Sequence, residues 1–580
     1  MIGNSAAIKP STCLLLMGLW MLAAQLPAKA ASVAPVAAGN GMVVTAQHLA
    51  TKVGVDVLKR GGNAVDAAVA VGYALAVVYP AAGNLGGGGF MTLQLADGRK
   101  TFLDFREKAP LAATPNMYLD KDGNLIKGSS TRGHLAIAVP GTVSGMEYAR
   151  EKYGTMKRER LLEPAIRLAG KGFVLEQGDI DMLHTATGDF RKDPASAGVL
   201  LNAGQPFQVG EKLVQRDLAR TLKAIAARGT DGFYKGTVAA SIVNTVHKGG
   251  GIITHADLDQ YRTRELAPIE CDYRGYQVIS APPPSSGGVV LCQMLNILEG
   301  YPLAAMGFRS AQSVHYQIEA MRHAYADRNS YLGDPDFVRN PIDRLTSKAY
   351  AAGIRGVIDP DKAGVSLDIK PGVEAHEGSN TTHYSIADRW GNAVAVTYTL
   401  NDWFGAKVMA AASGVLLNNE MDDFTAKAGV PNLYGLVQGE ANAIAPGKRP
   451  LSSMSPTIVS KGKLPVMVVG TPGGSRIITV VLHTLLNVID YGMNVQEAVD
   501  APRFHHQWLP DLTNVENFAI SPDARKLLES VGHKFGAQQP ANHAAAVLIG
   551  APSLGGKPVG NKCFYGANDP RRNSGLAMGY

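Results

Sequence analysis

Residues 379–401 read SNTTHYSIADRWGNAVAVTYTLN. Two runs rich in β-branched and aromatic residues, 381–388 and 393–400, flank Asp388-Arg389-Trp390-Gly391-Asn392, where Gly and Asn tolerate positive φ. The pattern predicts a β-hairpin with Thr381 at the start of its first strand. Immediately upstream, Pro371, Gly372, Glu374, Glu377 and Gly378 suit an exposed, cleavable loop and poorly suit a packed element. If the backbone were cut between Asn380 and Thr381, Thr381 would carry a nucleophilic oxygen and a free α-amine. The unperturbed pKa of such an amine, about 7.7–8.0, makes it a usable base near neutral pH. Taken alone, the stretch reads first as a β-branched residue opening a strand, and the rest of the sequence has to overturn that.

The rest of the chain narrows the field. The 580 residues are 46% hydrophobic and 18% charged, enough for a large core, and no Pro/Ser-rich or charged linker divides them cleanly. Lys9, the apolar run Cys13 to Ala24 and Ala28-Lys29-Ala30 form a secretory signal pattern, so export to a periplasm or beyond is expected. The apolar run is shorter than the roughly 20 residues a membrane span needs, and no anchor is expected. Removing Lys9 and Lys29 lowers the formal charge from +7 to +5. The basic residues are scattered and not interleaved with aromatics, which argues against nucleic acid as a partner. Of the three cysteines beyond the signal, Cys271, Cys292 and Cys563, at most one pair can bond; Cys292, in an apolar run, reads as a buried small hydrophobe.

Read in order, Leu49, Val53 and Val57 mark a helix over 46–60, and Asn63 caps a second, Ala/Val-rich helix to Tyr79 with Asp66 at its third position. Gly86 to Gly89 lack the Lys and Ser/Thr of a phosphate loop, so close backbone packing is expected. A strand from Thr101 to Phe105 delivers Arg106 and Glu107. Asp120 to Asn124 lacks the closing Glu of a calcium loop and reads as a turn. Pro282 to Gly288 opens an apolar helix through Leu298, and an amphipathic helix covers Ala311 to about Ala326. Thr471-Pro472-Gly473-Gly474-Ser475-Arg476 joins a strand to a helix and could bind an anion through backbone N–H groups. His505-His506 has no third ligand at a recognisable spacing, and no H-E-x-x-H, G-x-S-x-G or C-x-x-C occurs.

NTTHYSIADRWGNAVAVTYTLN, LLNNEMDDF, KRPLSSMSPT, GTPGGSRI, GGNAVDAAVAVGYALAVVYPAAGNLGGGGFM, DFRE and PPPSSGG together closely resemble the γ-glutamyltransferase (γ-glutamyltranspeptidase) family, from about residue 42 to the C-terminus. The resemblance implies an α+β fold of N-terminal nucleophile hydrolase type, a four-layer αββα sandwich. It also implies autocleavage between Asn380 and Thr381 into a large subunit (31–380) and a small one (381–580) that form one intertwined heterodimer. The implied substrates are glutathione and other γ-glutamyl compounds, with water, amino acids or dipeptides as acceptors, and no metal or organic cofactor.

Residue by residue, Thr381 becomes the nucleophile, Thr399 its orienting partner, and Gly473 and Gly474 the oxyanion donors. Arg106 with Ser452 and Ser453 would hold the substrate α-carboxylate, while Glu420, Asp423 and Asn401 would receive its α-ammonium. Tyr434 would sit in a lid. Family members carry Gln or Glu where this chain has Glu420. Two rival readings are an acylase using the same nucleophile and an unprocessed amino-acid-binding protein that keeps the pocket.

Overall fold

In the computed structural model the predicted hairpin consists of strands Thr382–Asp388 and Ala393–Thr399, paired antiparallel with Thr382 opposite Tyr398. Its turn is held by Asp388, whose carboxylate accepts from Trp390 N at 2.9 Å and Asn392 N at 3.0 Å, while Gly391 takes φ +99°. The other carboxylate oxygen accepts from Ala64 N at 2.8 Å, tying the turn to the first residue of helix Ala64–Val78. That helix is capped as expected: Asn63 Oδ1 accepts from Asp66 N, and Asp66 accepts from Asn63 N. The model describes residues 32–369, 381–427, 429–430, 432–433, 435–536, 542–554 and 563–580.

The hairpin forms the middle of a seven-stranded antiparallel sheet. Its strand order is Leu576–Gly579, Gly41–Thr45, Thr382–Asp388, Ala393–Thr399, Gly88–Gln94, Lys100–Phe105, Arg264–Leu266. A second seven-stranded sheet runs Val36–Ala38, Phe564–Asn568, Ala545–Ile549, Leu464–Gly470, Thr457–Lys461, Tyr276–Ser280, Ile269–Tyr273. Strand periodicity sorts the side chains. Ala387, Ala393 and Ala395 point to the second sheet and pack with Ile458, Val468 and Val547. Tyr384, Ile386, Val394 and Val396 point the other way, onto helices His48–Lys59 and Ala64–Val78. The second sheet turns Val459, Met467 and Val469 outward against helices Gly287–Leu298, Ala311–Tyr331 and Arg476–Ile489. Two stacked antiparallel sheets with helices on each outer face make up this α+β body, and Pro35–Tyr580 cluster as one compact unit.

The glycine run behaves as packing. A Cβ on Gly86 would lie 2.2 Å from Leu416 O, and one on Gly87 would lie 2.0 Å from Thr399 O. The Asp120–Asn124 stretch is a turn closed by Asp120 N donating to Asn124 O at 2.8 Å.

Two expectations need correction. Cys292 is buried as expected, but it is no lone hydrophobe: it bonds Cys271, linking strand Ile269–Tyr273 to helix Gly287–Leu298. The helix expected to stop near Ala326 continues to Tyr331, five residues further. It is also not amphipathic in the usual sense, because Glu319, Arg322 and Arg328 are buried along with its apolar residues. No described helix is long and apolar enough to cross a membrane.

Candidate active site

Thr381 directly precedes the central strand and is 3% exposed. It opens onto a cleft of about 310 Å³ whose walls come from both sheets and from the loops at their ends. Thr399, Asn401, Arg106, Glu420, Asp423, Ser452, Ser453 and Gly474, all singled out in the sequence, line the same cleft. Segments far apart in the chain meet there because the sheet order brings strand 393–399 beside strand 88–94, and that beside strand 100–105, whose end carries Arg106.

Thr399 is the last residue of its strand, and its Oγ1 accepts from Asn401 N at 2.8 Å. Asn401 adopts φ +73°, a conformation Asn tolerates, which turns the chain out of the sheet; its Nδ2 donates to Asn419 O at 3.0 Å. Asn418, through Nδ2 donors to Gly86 O and Ala138 O at 2.8 Å each, fixes the start of the 3₁₀ turn Glu420–Asp423.

At the cleft's polar end Arg106, 1% exposed, donates from Nη1 to Glu420 and from Nη2 to Asp423, while its Nε donates to Pro450 O at 3.2 Å. Burial alone would lower the Arg106 pKa, but Glu420, Asp423 and Glu107 outweigh it and push it up. Glu107 is fully buried with its Oε2 3.6 Å from Arg106 Nη1, and neither of its oxygens receives a donor in hydrogen-bond geometry. Burial pushes Glu107 up to about 7, and pushes Glu420 well above the usual carboxylate range. Three carboxyl groups thus face one guanidinium, and Glu107 and Glu420 are the pair placed to share a proton.

Loop 471–475 reaches the cleft through Gly474 and Ser475. Gly474 has φ +56° and Gly473 φ +129°. Gly473 itself is not in the cleft wall: a Cβ there would fall 1.9 Å from Asn542 Nδ2, so that residue packs against the segment around 542. Tyr325 OH donates to Ser475 O, bracing the loop from helix Ala311–Tyr331. Asn380 and Tyr434 lie outside the described residues. The neighbours of Tyr434 are tethered, with Leu433 N donating to Asp422 Oδ2 at 2.9 Å and Gln507 Nε2 to Gly435 O at 3.2 Å.

Three residues at or behind the cleft were missed or left without a role in the sequence reading: Arg328, Glu107 and Ser475. Glu107 could have been marked by its place beside Arg106 at a strand end. Arg328 could have been found only by extending its helix past Ala326.

His505 and His506 have protein partners: His505 contacts Thr479 Oγ1 at 2.9 Å and Gln507 Oε1 at 2.9 Å, and His506 accepts from Trp508 N at 3.1 Å. Among the described residues one other group has metal-ligand types close together, His315, Glu319 and His533. There the two imidazoles bond each other at 2.8 Å and Glu319 accepts from Arg322 at 3.3 Å, so these atoms already serve one another.

A strand-initiating threonine, a glycine loop at a helix start and a cation flanked by carboxylates now share one cleft, and residues 50–579 match the family model for gamma-glutamyltranspeptidase. The chain belongs to the γ-glutamyltranspeptidase family. It is 75% identical over 552 residues to a glutathione hydrolase proenzyme of Pseudomonas sp. (strain A14), covering 95% of this chain and 96% of that one. It is 52% identical to the glutathione hydrolase proenzyme of Escherichia coli (strain K12), covering 94% and 93%. Among solved structures it resembles cephalosporin acylase from Bacillus halodurans, with TM-score 0.81, 27% identity and 96% and 98% of the two chains covered. The chain is an enzyme of γ-glutamyl hydrolysis and transfer, and its fold is shared with acylases of the N-terminal nucleophile class.

Proposed function

We propose that the chain is exported, cuts itself between Asn380 and Thr381, and then hydrolyses or transfers the γ-glutamyl group of glutathione and related amides. The observation that carries this reading is the meeting of Thr381, Gly474, Arg106, Glu420 and Asp423 in one cleft. For maturation, Thr381 Oγ1 attacks the Asn380 carbonyl carbon, the peptide C–N bond breaks, and the nitrogen takes a proton to become the α-amine. Water then hydrolyses the resulting ester and frees the hydroxyl. The "proenzyme" in the relatives' names supports such a step.

In turnover the Thr381 hydroxyl adds to the γ-carbonyl while its α-amine takes the hydroxyl proton. Gly474, the member of the glycine pair that lines the cleft, presents its backbone N–H to the oxyanion, a kind of contact worth about 2.7–4 kcal/mol where one has been removed elsewhere. The substrate's amide nitrogen takes that proton from the Thr381 α-ammonium, its C–N bond breaks and it leaves as the free amine; a γ-glutamyl ester on Thr381 remains for water or an acceptor amine to attack. Specificity comes from the zwitterionic end: Glu420, Asp423 and Asn401 receive the ammonium, and Arg106, Ser452 and Ser453 the carboxylate. The disulfide between Cys271 and Cys292 fits an oxidising compartment, in line with the signal pattern at 9–30.

Mass spectrometry of the purified protein should show two chains, one beginning at Thr381. γ-Glutamyl-p-nitroanilide should then be turned over in preference to glutaryl-p-nitroanilide, which lacks the α-amine. The likeness to a cephalosporin acylase favours a second reading, side-chain acylase activity. A preference for the glutaryl compound would decide for the acylase and against the γ-glutamyl reading. A single uncut chain would favour a binding protein.

A further inference from the structure

The cleft contains a second arginine that the reading above does not use. Arg328, near the end of helix Ala311–Tyr331, is 1% exposed and lines the cleft beside Ser453. Arg106 is met by three carboxyl groups; Arg328 has none in contact among the described residues. Its hydrogen bonds all go to neutral oxygens: Nε to Ser286 Oγ at 3.0 Å, Nη1 to Asn329 Oδ1 at 2.9 Å and Gln438 Oε1 at 3.4 Å, and Nη2 to Ser453 Oγ at 3.0 Å. A buried, uncompensated cation is costly to keep without an anionic partner. Among the described residues no carboxylate is in contact with it, and Asp423, already bonded to Arg106, acts on it only through space, so a bound anion would complete it.

The bond to Ser453 also has a directional consequence. A guanidinium only donates, so Ser453 Oγ is the acceptor, and its own O–H remains to be given to something else. No described protein group receives that proton. Ser286 is set the same way: it accepts from Arg328 Nε and donates to Ser452 O at 2.7 Å, holding the Ser452-Ser453 backbone in place.

We infer that Arg328 is a positioning and specificity-determining residue for the carboxylate end of the substrate: through Ser453 it aims a hydroxyl proton into the cleft, and it supplies the unpaired positive charge beside which an α-carboxylate binds. This inference rests on the γ-glutamyl reading above and deepens it. Arg106, bonded to Glu420 and Asp423, stands between the two ends of the zwitterion, and Arg328 adds a second cation on the carboxylate side behind Ser453.

The test compares two substrates on the processed enzyme. γ-Glutamyl-p-nitroanilide carries the α-carboxylate; 4-aminobutanoyl-p-nitroanilide keeps the amine and lacks it. Arg328→Gln is expected to lower kcat/KM for the first by roughly 10- to 100-fold, mostly through KM, as for loss of a charge-assisted contact. It should change the second by less than about twofold. In the double variant with Ser453→Ala the losses should be less than additive, because the Ser453 hydroxyl is one of the two routes by which Arg328 acts. Arg328→Lys, which keeps the charge but cannot reach Ser286 and Ser453 together, should show the same selectivity in weaker form and serves if the Gln variant is not processed. Equal losses on both substrates, additive losses with Ser453→Ala, or an unchanged KM in a fully processed Arg328→Lys would each overturn the inference and leave Arg328 a brace. Failure of the γ-glutamyl reading is seen separately, in the unsubstituted enzyme, as a preference for glutaryl-p-nitroanilide.

Discussion

Glu107→Gln isolates the electrostatic tension behind the cleft. Glu107 is fully buried, has no donor in hydrogen-bond geometry at either oxygen, and its nearest cation, Arg106 Nη1 at 3.6 Å, is already bonded to Glu420. Burial is the leading cause that pushes it up to about 7, only partly opposed by Arg106. In the unfolded chain the same group titrates near about 4.3. The folded state therefore binds more protons than the unfolded one between those two values, so stability falls as pH rises through the window. Below the unfolded pKa no penalty exists; above about pH 7 it is complete. At about 1.4 kcal/mol per pH unit of displacement the full penalty is about 4 kcal/mol. Gln has the same shape and cannot ionise, so the variant should be more stable than the parent by up to that amount at pH 8 and equal to it near pH 4.5. For a body of this size an unfolding entropy of about 1 kcal/mol/K converts the difference to a rise of roughly 4 °C in Tm at pH 8. Differential scanning calorimetry of both proteins at pH 5, 6, 7 and 8 gives the trend directly. A Tm difference independent of pH, or a Gln variant less stable than the parent at pH 8, would show that Glu107 is ionised and satisfied in the folded protein.

The other expectations concern the nucleophile, the amine pocket, the packing behind Thr399 and the disulfide. Thr381→Ala should give a single uncut chain with no turnover; appearance of two chains on a gel, or residual hydrolysis, would show that another nucleophile acts. Because burial holds Glu420 well above the usual carboxylate range and only its ionised form adds a charge to meet the ammonium, KM for γ-glutamyl-p-nitroanilide should rise as pH falls and Glu420 takes up its proton. In Glu420→Gln that rise should shrink, and an unchanged slope would assign the titration elsewhere. Gly87→Ala would put a Cβ 2.0 Å from Thr399 O, so it should lower stability by at least about 1–3 kcal/mol and reduce turnover, read by urea unfolding and by initial rates. Cys271→Ser with Cys292→Ser opens a link across 21 residues and should cost about 3 kcal/mol in the same unfolding assay, while kcat changes little since neither residue lines the cleft.

The hairpin and the Asn63 cap were legible in the sequence because local rules govern them: period-2 alternation, a Gly-containing turn, and a capping box three residues long. Arg106 was legible because a strand end exposes its next side chain to whatever the sheet edge faces. Arg328 was not, for a physical reason. Periodicity assumes that charged residues mark the solvent face, so Arg328-Asn329-Ser330 reads as a fraying end. In the folded protein that end is covered, and Arg328 is satisfied by Ser286, Gln438 and Ser453, which come from three other segments. The disulfide was hidden in the same way, since an apolar helix gives no sign that one of its small residues faces a strand 21 positions earlier. Gly473 shows the converse: a Gly-Gly pair in an anion-binding pattern implies two donors, but packing against Asn542 takes one residue out of the cleft wall.

The position of Thr381 explains how a chain can be cut there and remain one body. The strand that follows it pairs on one side with Gly41–Thr45, from Tyr384 opposite Thr45 to Asp388 opposite Gly41, and on the other with Ala393–Thr399. The segment on the far side of Gly41–Thr45 is the C-terminal strand Leu576–Gly579. Residues before and after position 380 therefore alternate within a single sheet, and their side chains share the layer between the sheets, where Met42 and Val44 pack with Ala387, Val468 and Val547. Breaking one peptide bond at the entrance to the central strand removes no ladder partner of residues 382–388. The proposed cut thus costs the fold a covalent link but none of these pairings, and it turns the residue just before a fully buried strand into a chain terminus. An amine created anywhere else along that strand would require a ladder bond to break first.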